Sequence, residues 1–223
     1  MTRIRVVCEG KTELEFVKKR LAPYLYEKCN AEVEPQILCA KSGRHKGGGI
    51  TVGRLAEHIS REYHKTDRIT TLVDFYGFKD RAGRTCEQLQ NDIQKAIHDE
   101  MKRKGKSKRY DERFVLPYVQ MHEFEGLLFS FSNPDVFACV KDGWNERSRA
   151  ALLEVQHQFE TPEDINDGAD TAPSKRLEKI FGTRVYSKVE HGSLVAEKIG
   201  IETIRKKCPR FNAWVAQLAA WGT

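Results

Sequence analysis

The chain has 223 residues, 31% of them charged and 39% hydrophobic, with a mean hydropathy of −0.60 and a net charge of +6. That length is enough to bury one sizeable core, and no apolar run approaches the ~20 residues a membrane-crossing helix requires, which excludes a bilayer-spanning protein. The six cysteines are scattered with no C-x-x-C pair, which argues against a zinc site and fits reduced, mostly buried thiols.

The opening MTRIRVVCEG runs from two arginines straight into a strand and then an acidic turn, without the long apolar stretch of a secretory leader. A cytoplasmic protein is the expectation. Residues 3–8, RIRVVC, read as the first strand. Thr12 with Glu15 three residues on has capping-box spacing, so a helix should begin there, with Glu15 as the capping acid and Pro23 ending or kinking it early. EVEPQILCA reads as a second strand, followed by the basic, glycine-rich stretch KSGRHKGGG with Lys41, Arg44 and Lys46. Apolar spacing turns helical again from Ile50 to about Lys65, and RITTLVDF is a third strand ending at Asp74. TCEQLQNDIQKAIHDEMKRK is a third helix, RFVLPYVQ a fourth strand, and MHEFEGLLFSF follows it. From about Pro134 the remainder reads as short helices.

Alternating strands and helices call for a mostly parallel sheet with helices on its faces, here four strands in a Rossmann-like α/β core over 1–133, with a helical region over 134–223 packed on it. Sites in such sheets lie at the carboxyl ends of the strands. Glu9, Asp74, and Glu123 with Glu125 each follow directly on an expected strand, so these acids should gather at one edge. Carboxylates without Cys or His companions suit a hard, oxygen-preferring cation such as Mg²⁺ or Mn²⁺. Glu13 lies four residues after Glu9, a spacing that can aim both at one volume, although an acid in a first helical turn also serves the helix dipole.

KRKGKSKR, residues 102–109, holds Lys102, Arg103, Lys104, Lys106, Lys108 and Arg109 with no acid. Such a run can bind a phosphate backbone and feed a nucleic acid toward a site, or it can be a solvated loop between helix and strand. EGKT invites a phosphate-loop reading, but the required earlier glycine is Arg5; HEFEG invites a zinc-protease reading, but the second histidine's place is Gly126. Both are rejected. Phe211, Trp214, Val215 and Leu218 share one face of the last helix, a stripe expected to be core before it is a partner groove.

VVCEGKTELEFV, an apolar strand ending in a Glu-Gly turn, and TLVDFYGF, an aspartate at a strand end, together resemble the Toprim domain of topoisomerases, primases and OLD-type (overcoming lysogenisation defect) nucleases. VLPYVQMHEFEGLLFS, DTAPSKRLEKIF and the C-terminal stretch YSKVEHGSLVAEKIGIETIRKKCPRFNAWVAQL more closely resemble an uncharacterised Toprim-like bacterial family, often encoded beside ATPase genes in phage-defence loci. The resemblance implies a metal-dependent nuclease acting on DNA or RNA with one or two Mg²⁺ or Mn²⁺ ions. It makes Glu9 and Asp74 catalytic metal ligands, Glu13 a contributor to a second ion, and Lys175 a lysine stabilising the scissile phosphate. The usual second aspartate of the motif is here Tyr76, so Glu123, Glu125 or Asp80 would fill the gap, or fewer ions would bind. It also implies an ABC- or AAA-type ATPase partner and leaves a homodimer open. The rival expectation is a catalytically inactive subunit that binds nucleic acid or the ATPase.

Overall fold

The computed structural model describes residues 1–38, 49–165 and 171–222, so Lys41, Arg44 and Lys46 lie outside the described residues. The chain divides into two compact units, Met1–Gln120 with Leu218–Thr223, and Met121–Gln217.

In the first unit, β1 (Arg3–Cys8), β2 (Glu32–Ile37), β3 (Arg68–Asp74), β4 (Val115–Leu116) and β5 (Val119–Gln120) form a parallel sheet in the order β2-β1-β3-β4, with β5 also pairing β3. β1 and β3 read as near-continuous apolar runs because a parallel sheet is covered on both faces: Ile4, Val6, Val7, Cys8, Leu72 and Val73 are buried. The expected fourth strand is present as two short pieces, β4 and β5, interrupted at Pro117. Proline has no N–H to give the ladder. The side chains of β3 fill the gap: Thr70 Oγ1 donates to the Leu116 carbonyl at 2.7 Å, while Thr71 Oγ1 donates to the Tyr118 carbonyl at 2.7 Å and accepts the Tyr118 N–H at 2.8 Å.

The first helical segment departs from expectation at both ends. It starts one residue earlier, as α1 (Lys11–Phe16), and passes through a π-helical turn (Val17–Leu21) into α2 (Ala22–Cys29). Pro23 therefore does not end the helix, because it occupies the first turn of α2, where its missing N–H costs no bond, and the wide turn before it absorbs the change of register. Asn30, at φ +55°, closes α2 in the left-handed conformation that Asn tolerates.

α3 (Val52–Glu62) and α4 (Cys86–Arg103) are capped by Thr51 and Thr85, whose hydroxyls accept from Arg54 and Gln88 N–H. The two helices pack on each other. Right-handed crossovers put α1 and α2 on one face of the sheet and α3 and α4 on the other. The chain moves outward one way from β1 to β2 and the other way from β1 to β3, so the strand order reverses between β1 and β3.

The second unit holds a 3₁₀ segment (Phe124–Ser130), then α5 (Glu146–His157), α6 (Pro173–Phe181), α7 (Lys188–Ile199), α8 (Ile201–Lys207) and most of α9 (Pro209–Gly222). Its core includes Leu127, Leu128, Phe129, Phe131, Phe137, Leu152, Leu177, Val195 and Ile204. The start of α9 is held by Glu163, whose carboxylate accepts the N–H groups of Arg210 at 2.9 Å and Phe211 at 3.0 Å. The apolar stripe of α9 is buried at Phe211, Trp214, Val215 and Leu218.

Candidate functional site at the carboxyl edge

The carboxyl ends of β1 and β3, where the strand order reverses, are where an open parallel sheet leaves a crevice. Cys8 pairs with Leu72, and the Glu9 N–H donates to the Leu72 carbonyl at 3.3 Å, so Glu9 leaves β1 beside the last residues of β3. The Glu9 carboxylate lies over the turn that follows β3 and accepts the Asp74 N–H at 3.3 Å. That turn, Phe75–Gly77, is fixed from the other side: Ile50 N–H donates to the Gly77 carbonyl at 3.0 Å and Lys79 N–H to the Ile50 carbonyl at 2.9 Å. Gly77 is needed for this approach, since a Cβ there would lie 2.6 Å from Glu9 Oε1 and 2.7 Å from its Cδ. Glu9 and Asp74, 65 residues apart, are thus brought to one edge by the sheet.

Glu13 is buried and close to this edge. Its Oε2 accepts the Gly10 N–H at 2.9 Å, so Glu13 is the acid that closes the start of α1. This corrects the assignment of Glu15 to capping. Glu15 pairs instead with Lys19 at 2.7 Å, one turn along the exposed face, and that lysine holds its carboxyl below the usual range. The helix starts a residue early because Gly10, with extended backbone, serves as the cap, which puts Glu13 and not Glu15 in the third helical position. Burial pushes the neighbouring Cys8 thiol well up, and the Glu13 carboxylate adds to the rise, leaving that sulfur protonated and unreactive. Asp80 Oδ2 accepts the Val52 N–H at 3.1 Å and serves the start of α3.

In the second unit His122 turns the chain with φ +62°, and Glu123 and Glu125 follow it. Glu123 Oε2 accepts the Ser174 N–H at 2.9 Å in the first turn of α6. Lys188, at the start of α7, places its Nζ 3.4 Å from Glu123 Oε1 and 3.4 Å from Glu125 Oε2. The Glu125 side chain is only 2% exposed, so Lys188 is its compensating charge. The Tyr186 phenol is buried beside these carboxylates; burial pushes it well up, and Glu125 and Glu123 add to the shift. Its hydroxyl has no hydrogen-bond partner among the described residues. Sequence reasoning missed both Lys188 and Tyr186, because nothing in YSKVEH marks which of its polar groups faces inward. Lys175 is half exposed on α6 and pairs with Glu178 at 2.7 Å, a surface pair one turn long.

The basic run does not join Glu9 and Asp74. α4, 18 residues long, carries the chain from the carboxyl edge back to the amino edge, and the run follows its end. Lys104 Nζ donates to Ser60 Oγ at 2.7 Å near the end of α3, and Arg103 and Lys104 both pair with Glu100. β3 is seven residues long, so the two edges are separated by about 20 Å.

Among the described residues no group of three or more His, Cys, Asp or Glu is gathered for a metal ion. No described helix is long and apolar enough to cross a membrane. Cys8, Cys29, Cys86 and Cys208 are buried and Cys139 is half-buried, and these five form no disulfide.

Fold and edge together define a parallel α/β protein with two carboxylates at its topological switch point. The chain belongs to the family described as a domain of unknown function (DUF4276), which matches residues 8–219. No curated protein and no solved structure matches it.

Proposed function

We propose that the chain is a divalent-metal-dependent nuclease of the Toprim type, hydrolysing phosphodiester bonds in DNA or RNA. The observation that carries this reading is the convergence of Glu9 and Asp74 from neighbouring parallel strands at the carboxyl edge, with the Glu9 carboxylate seated on the Asp74–Gly77 turn. The Glu9 carboxylate meets the Asp74 backbone N–H, which sets the two acids side by side at one edge, and carboxylate oxygens suit Mg²⁺ or Mn²⁺. An ion there would polarise a phosphoryl oxygen and lower the pKa of a bound water. Glu9 and Asp74 would hold it, with the buried Glu13 at the start of α1 as the candidate for a second contact. An ATPase partner and a role in phage defence follow from the same resemblance.

A second reading, a non-catalytic subunit, is favoured by the engagement of the remaining acids. Glu13 closes α1, Glu123 and Glu125 face Lys188, and Tyr76 stands where a second aspartate would. The test incubates wild type, Glu9→Ala and Asp74→Ala with DNA and RNA in Mg²⁺, Mn²⁺ or chelator, beside direct titration of metal binding. Metal-dependent cutting by wild type alone, with both variants folded and metal-deficient, supports the nuclease. Metal binding undiminished in either variant would sink the assignment.

A further inference from the structure

At the amino edge of the first unit's sheet, remote from the carboxylates, positive charge gathers around a small cavity. Lys102, Lys106, Lys108 and Arg109 project from the run, and among the described residues none of the four has a carboxylate partner. Beside them a cavity of about 340 Å³ is lined by Tyr63, His64, Asp67, Arg68, Arg109 and Phe114. Arg68 lies over the Phe114 ring, with its guanidinium carbon 4.1 Å from the centroid and 6.0 Å from that of Trp221. Its Nη1 donates to the Asp67 carbonyl, while its buried Nε has no partner among the described residues.

The carboxylates bordering this patch are mostly engaged. Asp67 is held by the Arg3 N–H at 2.9 Å, Glu100 by Arg103 and Lys104, and Asp111 by Arg113 at 2.6 Å. Arg103 and Lys104 hold the Glu100 carboxyl at about 2, so at neutral pH it stays an anion committed to those two cations. Asp99 and Glu112 are the exceptions. The surplus of charge is therefore cationic, set on a fixed frame: the Tyr63 hydroxyl accepts the Asp111 N–H at 2.8 Å and donates to its carbonyl at 3.2 Å, clamping the segment just after the run to the turn that follows α3.

We propose that this amino edge is a metal-independent binding surface for the phosphate backbone of a nucleic acid, with Lys106, Lys108 and Arg109 as contacts and the Arg68–Phe114 pair as its floor. It does not depend on the nuclease reading. Because the two edges are about 20 Å apart, the backbone held here is not the phosphate that Glu9 and Asp74 would meet. Binding and any cutting are then separable.

The experiment measures fluorescence anisotropy of a labelled single strand and a duplex, each of about 20 nucleotides, with full-length protein in chelator at increasing salt. Wild type should bind, with affinity falling linearly in log salt. Lys108→Glu/Arg109→Glu should bind at least about tenfold more weakly and lower the salt slope by about 2, one for each phosphate that is no longer neutralised. Lys108→Ala/Arg109→Ala should lower the slope by about the same amount, with a smaller loss of affinity. Lys141→Glu, at an exposed lysine of the second unit, matches the net-charge change of the alanine pair and should change neither. No binding by wild type in chelator, an unchanged slope in the double variants, or an equal loss in Lys141→Glu would overturn the proposal. Tighter capture of an acidic polypeptide than of nucleic acid at matched charge would also overturn it, and assign the patch to a protein partner. Titrating Mn²⁺ into the same variants keeps the two edges distinct: metal binding there should equal wild type.

Discussion

Gly77→Ala tests how the carboxyl edge is built. The new methyl would sit 2.6 Å from Glu9 Oε1 and 2.7 Å from Glu9 Cδ, roughly 1 Å inside ordinary van der Waals contact. The turn cannot back away easily, because the Gly77 carbonyl accepts the Ile50 N–H at 3.0 Å. Glu9 must rotate, which breaks its bond from the Asp74 N–H. A changed rotamer costs about 0.5–1.5 kcal/mol and loss of a charge-assisted bond, 3.3 Å long and so at the weak end, about 1 kcal/mol, so destabilisation of about 1–3 kcal/mol is expected. For a chain of this size that lowers Tm by about 2–12 °C. The assay is a double-mutant cycle by thermal unfolding. In a Glu9→Ala background the three atoms nearest the methyl are gone, so Gly77→Ala should then cost less than about 0.5 kcal/mol. Equal destabilisation in both backgrounds would refute the idea that the glycine exists to seat the Glu9 carboxylate. Metal titration of the single variant adds a second readout, with binding weakened although Glu9 and Asp74 are both present.

Other consequences are open to measurement. Lys188→Met leaves Glu123 and Glu125 without their shared cation and should destabilise by about 1–2 kcal/mol, the lysine being partly exposed; adding Glu125→Gln should recover part of that loss in urea unfolding. Glu163→Ala removes the acceptor for two N–H groups at the start of α9 and should cost about 1–2 kcal/mol, seen as a lower urea midpoint with an unchanged slope. Burial pushes the His58 imidazole down from its ordinary value, so its neutral form is the one the fold accepts. The unfolded chain then takes up a proton first as pH falls below about 6.5, and wild type should lose stability relative to His58→Gln between about pH 7 and pH 5. A constant difference across that range would contradict the sign.

Much of the fold was legible because burial writes its period into the residues. RIRVVC and RITTLVD are apolar along their length since both faces of a parallel strand are covered, and α3, α4 and the later helices show their buried stripes at helical spacing. The two places where local rules misled are competitions between neighbours. Thr12 with Glu15 has the spacing of a cap, yet Gly10 with Glu13 has it too, and the glycine's extended backbone decides in favour of the earlier start. Pro23 looks like a stop, yet a π-helical turn one step before it lets the helix continue.

The site divides in the same way. That Glu9 and Asp74 would lie at one edge follows from sequence alone, because strand ends in a parallel sheet share an edge; that they are neighbours there depends on the pairing of β1 with β3. Which groups stand beside each acid is a matter of side-chain contacts between residues dozens of positions apart, such as Gly77 under Glu9 or Lys188 between Glu123 and Glu125. No local pattern encodes those. The same holds for the basic run: its charge is plain in KRKGKSKR, but its position at the amino edge, a strand's length from Glu9 and Asp74, is set by the return path of α4. Sequence determined the elements and the chemistry they carry, through periodicity and residue type; the tertiary structure decided which charges meet, because that depends on distances in space that only the packed chain defines.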